Sequence, residues 1–409
     1  MVADFEAQIE AFFLKEIPDR LGVAVSGGSD STALLILLHD FCRRHSVSLY
    51  CATVDHRLRP QAKEEAAQVA RLCAKLDVPH DILSWSGWEG TGNVQAAARA
   101  ARYKLLASWA TGLQVDQVAL GHTLDDQAET VLMRLARGAG VDGLSAMAPR
   151  RAQHKVTWLR PLLATDRTGL QEYLRSKGVA WCDDPTNEDH RYDRIKMRNS
   201  WDVLAPLGIT PAALAQVAEN MGTAREALAQ QTREAAESCA EVTAGAVRLS
   251  AAKFAALPDE IARRLVLSAL SWVNSAVYAP RRRSLKAAMG ALATEGSATV
   301  DGCHMRRIRD DIWIFREYNA VKDLTVPCGS LWDNRWRVQS AENVEGNRIA
   351  PLGETGLAAC SDWRALNIPR DVLMVTPAVW NTDGLVAAPL VDRRSNWRVT
   401  LRVPQMRFL

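Results

Sequence analysis

Leu21-Gly22-Val23-Ala24-Val25, followed directly by Ser26-Gly27-Gly28-Ser29-Asp30-Ser31, is the stretch whose reading decides the fold. The first five residues form a short apolar run that ends on a glycine pair, the pattern of a buried strand entering a sharp turn. Residues 30–44 then show helical periodicity. Two adjacent glycines let the backbone turn tightly and bring bare N–H groups close to an anion. The following helix aims its N-terminus at the same place. Ser26, Ser29 and Ser31 add hydroxyl donors. Asp30 repels a phosphate directly, so it either bridges through Mg²⁺ or caps the helix. No Lys-Ser or Lys-Thr follows the glycines, and the string is not Gly-x-Gly-x-x-Gly. The Walker loop and the dinucleotide fingerprint are thereby excluded. A tight capped turn with no ligand is the alternative to an anion site.

Working outward, strand-like runs at 49–54, 81–83 and 117–120 alternate with helical patterns at 63–76, 94–111 and 124–137. This alternation predicts an α/β fold, a doubly wound parallel sheet with helices on both faces. Ligands of such sheets lie at the carboxyl ends of the strands. The chemistry is therefore expected just after Val25, Val54 and Leu120. Beyond it, 211–241, 259–273 and 284–294 read as helices. Two hairpins are expected, 303–309 with 312–317 around Asp310-Asp311, and 331–332 with 336–338 around Asp333-Asn334. The expected domains are a catalytic domain over 1–210, a helical domain over 211–320 and a small β-rich domain over 321–409.

The chain has 409 residues, 48% apolar and 24% charged, with a net charge of +3, which is ordinary for a globular protein with its own core. None of its eight cysteines forms a Cys-x-x-Cys pair, so zinc and redox spacings are absent. The opening Met1-Val2-Ala3-Asp4-Phe5-Glu6 is acidic and lacks a secretory pattern. Reduced thiols and a cytoplasmic location are expected. No apolar run approaches the roughly 18 residues that span a bilayer, so no membrane association is expected.

A second string, Gly121-His122-Thr123-Leu124-Asp125-Asp126-Gln127-Ala128-Glu129-Thr130, follows the 117–120 strand and opens a helix. It should face the same crevice as the glycine loop. Asp126 and Glu129 stand three apart on one helix face. Acids in a first helical turn complement the dipole.

The Ser-Gly-Gly-x-Asp-Ser string resembles the pyrophosphatase-type loop, or PP-loop, of the ATP-α-hydrolase superfamily. Members cleave ATP to AMP and pyrophosphate by adenylating a substrate oxygen. The second string, with Arg134-Leu135-Ala136-Arg137-Gly138-Ala139-Gly140 and Gly143-Leu144-Ser145-Ala146-Met147, is similar to the tRNA(Ile)-lysidine synthases. So are residues 93–103 (NVQAAARAARY), 159–163 (LRPLL) and 183–198 (DDPTNEDHRYDRIKMR), and, sparsely, 377–380 (PAVW) and 384–389 (GLVAAP).

That resemblance implies a reaction. ATP, with Mg²⁺, adenylates carbon 2 of the wobble cytidine of tRNA(Ile) with a CAU anticodon. The ε-amine of free L-lysine then displaces AMP to form lysidine. ATP is implied to bind Ser26, Gly27, Gly28, Ser29, Asp30 and Ser31, with Asp30 the candidate Mg²⁺ ligand. Asp126 and Glu129 match positions that bind and deprotonate lysine. Arg102 and Arg194 match positions that direct positive charge at the pyrophosphate and the intermediate. The chain departs from the family at Ile195, where Asn is usual, which turns attention to Arg198. His56 resembles a Val-Asp-His segment and either lines the nucleoside site or serves the core. A homodimer is carried as the candidate assembly.

Basic runs at 191–198, Arg281-Arg282-Arg283, 306–309 and 393–402 are either solvated faces or RNA contacts. Among the thirteen Trp, one or two could stack on an unpaired base. The rival readings are a tRNA thiolase, which needs catalytic cysteines, an amidotransferase-type ligase, which needs an ammonia source, and an RNA-binding protein with a dead loop.

Overall fold

The computed structural model describes residues 4–57, 62–86, 94–182, 193–276, 280–340, 346–392 and 396–401, without the side chains of 193–195 and 295. It divides into two compact units, Met1–Arg225 and Glu226–Leu409.

The first unit holds helices α1 (Phe5–Phe13), α2 (Ser29–His45), α3 (Ala62–Leu76), α4 (Val94–Gly112), α5 (Leu124–Leu135), α6 (Val141–Leu144), α7 (Arg167–Ser176), α8 (Asp193–Asn199) and α9 (Trp201–Leu204). Its strands are β1 (Arg20–Ala24), β2 (Ser48–Asp55), β3 (His80–Ser84), β4 (Gln117–Leu120), β5 (Arg150–Gln153) and β6 (Val156–Leu159), in sheet order β3-β2-β1-β4-β6-β5. All pairs are parallel except the β5–β6 edge hairpin. Alternate residues of each strand feed opposite faces. Leu21, Val23 and Val25, with Ala119, face a core built with α1, α2, α3 and α7. Ala24, Val118 and Leu120 face a second core with Leu106, Ala107 and Ala110 of α4. Helices therefore cover both faces, as the alternation predicts. The winding reverses between β1 and β4, which pair directly through Gly22–Val118, Val23–Ala119 and Ala24–Leu120. That reversal opens the crevice at their carboxyl ends.

Helix α2 complements its own dipole, with Asp30 in the first turn and Arg43, Arg44 and His45 in the last. It stops where Ser46 takes a left-handed conformation at φ 56°.

Helix α10 (Pro211–Cys239) runs 29 residues across the boundary between the units. The second unit is not purely helical up to 320. It has a five-stranded antiparallel sheet, β7 (Ala240–Thr243), β8 (Ala246–Ser250), β9 (Ser297–Val300), β10 (Cys303–Ile308) and β11 (Asp311–Arg316), in order β7-β8-β11-β10-β9. The predicted 303–317 hairpin is its β10–β11 pair, but its two-residue turn is Arg309-Asp310, because Ile308 pairs with Asp311. Strand β11 alternates between two cores. Ile312 and Ile314 pack with α12 (Asp259–Asn274) and α13 (Arg282–Glu295), the helix α11 (Ala251–Ala255) also contributing. Trp313 and Phe315 pack with Trp332, Trp336, Val338 and Ile349 of the C-terminal strands. The expected boundary at 320 thus lies within one compact unit, whose sheet serves both sides. All eight cysteines are free thiols. Among the described residues, no helix is long and apolar enough to cross a membrane.

Candidate active site

The glycine loop leaves β1 and turns into α2. Gly27 adopts φ +96°, a conformation that side chains other than glycine rarely take. Its carbonyl accepts from the Cys182 N–H at 2.8 Å and from Thr32 Oγ1 at 3.3 Å. The Ser26 N–H donates to Ser31 Oγ at 3.1 Å, and Ser31 Oγ in turn donates to the Gly28 carbonyl at 3.1 Å. Ser29 and Ser31 are buried while Ser26 is exposed. The hydroxyls therefore brace the loop as well as facing the helix N-terminus.

The second motif leaves β4 beside it. A Cβ on Gly121 would stand 2.7 Å from Ser31 Cα and 2.8 Å from Ser31 N. Only a glycine lets the two motifs approach this closely. Helix α5 then begins at Leu124. Asp126 Oδ2 accepts from the Thr123 N–H at 3.0 Å and from Thr123 Oγ1 at 3.4 Å, so it closes its own helix start. Its other oxygen, Oδ1, lies outside that cap.

Arg167, a residue that sequence reasoning missed, stands at the start of α7. Its Nε donates to Asp30 Oδ2 at 2.9 Å and its terminal nitrogen is 3.7 Å from Asp126 Oδ1. Its backbone N–H donates to Asp125 Oδ2 at 2.8 Å. Asp30 accordingly does not cap α2; it takes the guanidinium of Arg167 and the Ser29 hydroxyl. Burial holds the Asp30 carboxyl above its ordinary pKa, Arg167 opposes this, and Asp126 adds to it. The only signal in the sequence was Asp166-Arg167-Thr168 after the LRPLL string, a capped helix start.

Glu129 is 1% exposed. Arg198 holds it, with Nε and a terminal nitrogen each 3.0 Å from Oε1. Arg198 is thus a cation that reaches the second acid. The side chain of Arg194 lies outside the described residues, as do 183–192, so its expected role has no geometry here. Arg102 is half-buried on α4 and acts electrostatically on Tyr103. His56 is half-buried, its ring edge-on to Trp85 at 5.8 Å.

Relatives carry the same pattern across nearly the whole chain. A tRNA(Ile)-lysidine synthase from Ruegeria pomeroyi is 48% identical over 402 residues, covering 97% of this chain and 95% of its own length. This chain belongs to the tRNA(Ile)-lysidine synthase family. The enzyme of that name from Wolbachia pipientis wMel is 36% identical and covers 82% of this chain and 81% of itself. The family described as PP-loop domain matches residues 1–203. A U34-tRNA thiolase from Methanococcus maripaludis is similar at 16% identity and TM-score 0.48, over 55% of this chain and 78% of that one. As a lysidine synthase family member, the chain is an ATP-dependent ligase that modifies tRNA. The dead-loop, thiolase and amidotransferase readings give way to that membership.

Proposed function

We propose that this chain joins the ε-amine of L-lysine to carbon 2 of the wobble cytidine of tRNA(Ile) bearing a CAU anticodon. The observation that carries the reading is the contact at Gly121, which sets the phosphate loop against the helix of Asp126 and Glu129. Backbone N–H groups at residues 27–31 and the start of α2 would hold the α-phosphate of ATP. The cytidine O2 attacks that phosphorus and pyrophosphate leaves. The lysine nitrogen then attacks C2, its proton passes to Asp126 Oδ1, and AMP leaves with the former O2. Asp126 suits the proton step because one oxygen is fixed in the helix cap while the other lies outside it, 3.7 Å from Arg167. Arg102 and Arg194 would supply positive charge for the pyrophosphate and the adenylated base.

Asp30 and Asp126 converge on one guanidinium, so two hard oxygen donors meet at one point. Among the described residues no group of three or more acidic, His or Cys side chains could hold a metal. The Asp30 carboxylate with phosphate oxygens and water is a donor set that suits Mg²⁺, which leaves Asp126 for the proton step. When bound, the ion would neutralise charge on the leaving pyrophosphate.

The test is incubation with ATP, Mg²⁺, lysine and tRNA(Ile), followed by nucleoside mass analysis and pyrophosphate release. A lysine adduct of cytidine that requires all four is expected. Pyrophosphate release without any adduct would refute the assignment of lysine as the acceptor.

A further inference from the structure

A group of arginines outside the basic runs legible in the sequence gathers in the first unit. Arg99 on α4, Arg134 in the last turn of α5, Arg151 on β5, Arg160 after β6 and Arg225 on α10 surround Tyr103 and segment 143–148. Arg134 donates to the carbonyls of Gly143 at 2.6 Å and Ala146 at 3.1 Å. Arg225 donates to Ser145 Oγ at 2.9 Å. Arg160 donates to the Ala148 carbonyl at 2.9 Å and reaches the Tyr103 hydroxyl at 3.5 Å. The Arg99 guanidinium lies 5.4 Å from the Tyr103 ring centre.

Every one of these partners is neutral. Among the described residues, none of the five makes an ion pair with a carboxylate, unlike Arg167 and Arg198 in the same unit. Their repulsion registers in the titration of Arg134. Burial, then the charges of Arg151, Arg225 and Arg99, hold Arg134 below its ordinary pKa. Burial pushes the Tyr103 phenol up, but Arg99, Arg160 and Arg102 outweigh it and hold the phenol below its ordinary value.

Cations gathered with neutral partners keep their field for an external polyanion. Arg134 stands eight positions after Asp126 on α5. At 1.5 Å per residue that is about 12 Å, a span that the backbone flanking a base held at Asp126 covers. Guanidiniums around an aromatic ring also suit single-stranded RNA, whose bases stack and whose phosphates pair.

We propose that Arg99, Arg134, Arg151 and Arg225 bind the phosphates of the RNA backbone on either side of the target base. This rests on tRNA being the substrate. Arg151 is exposed and is the clean probe, since among the described residues no hydrogen bond uses its side chain.

The test uses the full chain as wild type, Arg151→Glu, and Arg99→Gln/Arg151→Gln/Arg225→Gln, with fluorescence anisotropy of labelled tRNA(Ile) transcript across a salt series. Three lost phosphate contacts lower the slope of log K against log salt by about 2 and weaken binding about 100-fold near 0.1 M salt. Arg151→Glu, with melting temperature unchanged, weakens binding in the same direction. KM for ATP and for lysine, and kcat at saturating tRNA, stay within about twofold. Unchanged affinity and salt slope in a folded Arg151→Glu and in the triple variant would overturn the proposal. So would a fall in kcat with tRNA affinity intact. Binding is read without ATP or lysine, so an absent lysine adduct would count against the reaction and leave this test standing.

Discussion

Arg167 donates its Nε–H to Asp30 Oδ2 at 2.9 Å, which ties the start of α7 to the phosphate loop. The same guanidinium stands 3.7 Å from Asp126 Oδ1, so one side chain holds the two acids of the crevice in register. Arg167→Ala leaves both carboxylates facing each other without that cation. A loss of about 10–100-fold in kcat/KM is expected, from one to two charge-assisted hydrogen bonds. Arg167→Lys keeps the charge but cannot span two carboxylates with a planar fork, so most of the loss persists. Steady-state kinetics with ATP and lysine varied in turn check this; full activity in Arg167→Lys would remove the bridging role.

Asp126→Asn keeps the helix cap, because the amide oxygen still accepts from the Thr123 N–H. It removes the proton acceptor at Oδ1. ATP binding is expected to stay, while transfer to lysine slows by about 10²–10⁴-fold. Single-turnover assays separate adenylation from transfer. Unchanged transfer would take the base role away from Asp126.

Glu129 is buried and the half-buried Arg198 holds it, so removing Arg198 takes a cation from a buried carboxylate. Arg198→Met is expected to destabilise the fold by about 1–3 kcal/mol. The double change Glu129→Gln/Arg198→Met should recover most of that stability, since neither charge remains, yet stay inactive. Denaturant melts and activity assays on wild type and the two variants read both effects. Equal stability of the single and double variants would refute the pairing argument.

Gly121→Ala places a methyl group 2.7 Å from backbone of α2, and backbone cannot rotate away. The two motifs must part, which costs about 1–3 kcal/mol. The expected readouts are a lower melting temperature and a raised KM for ATP. Wild-type values for both would mean that the approach of the motifs is not what positions the loop.

Asp30 carries a pH dependence of stability. Its folded carboxyl binds a proton at higher pH than in the unfolded chain, where the value is near 3.8. Folded protein then holds more protons than unfolded in the window above that value, so this group's contribution to stability falls as pH rises through it. Asp30→Asn is neutral throughout. Its melting temperature relative to wild type should be more favourable at pH 7 than at pH 3.5, by calorimetry. The opposite order would mean that Arg167 outweighs burial at this carboxyl.

The sequence by itself determined the doubly wound sheet, because buried strands and amphipathic helices differ in period and alternate without ambiguity through residue 135. It also singled out the glycine loop and the acids Asp126 and Glu129 as candidates, since short strings at strand ends carry their own geometry. Residues 211–320 were harder. Strands β7, β8 and β9 are four or five residues each, and such short runs beside strong helix formers give no clear period. Only the tertiary structure decided that Arg167 and Arg198, distant in sequence, hold Asp30 and Glu129. It alone gathered Arg99, Arg134, Arg151, Arg160 and Arg225 from separate elements around Tyr103. The physical reason is the same in each case. A charge is placed by the partner it meets across packed elements, and chain order does not record which elements pack.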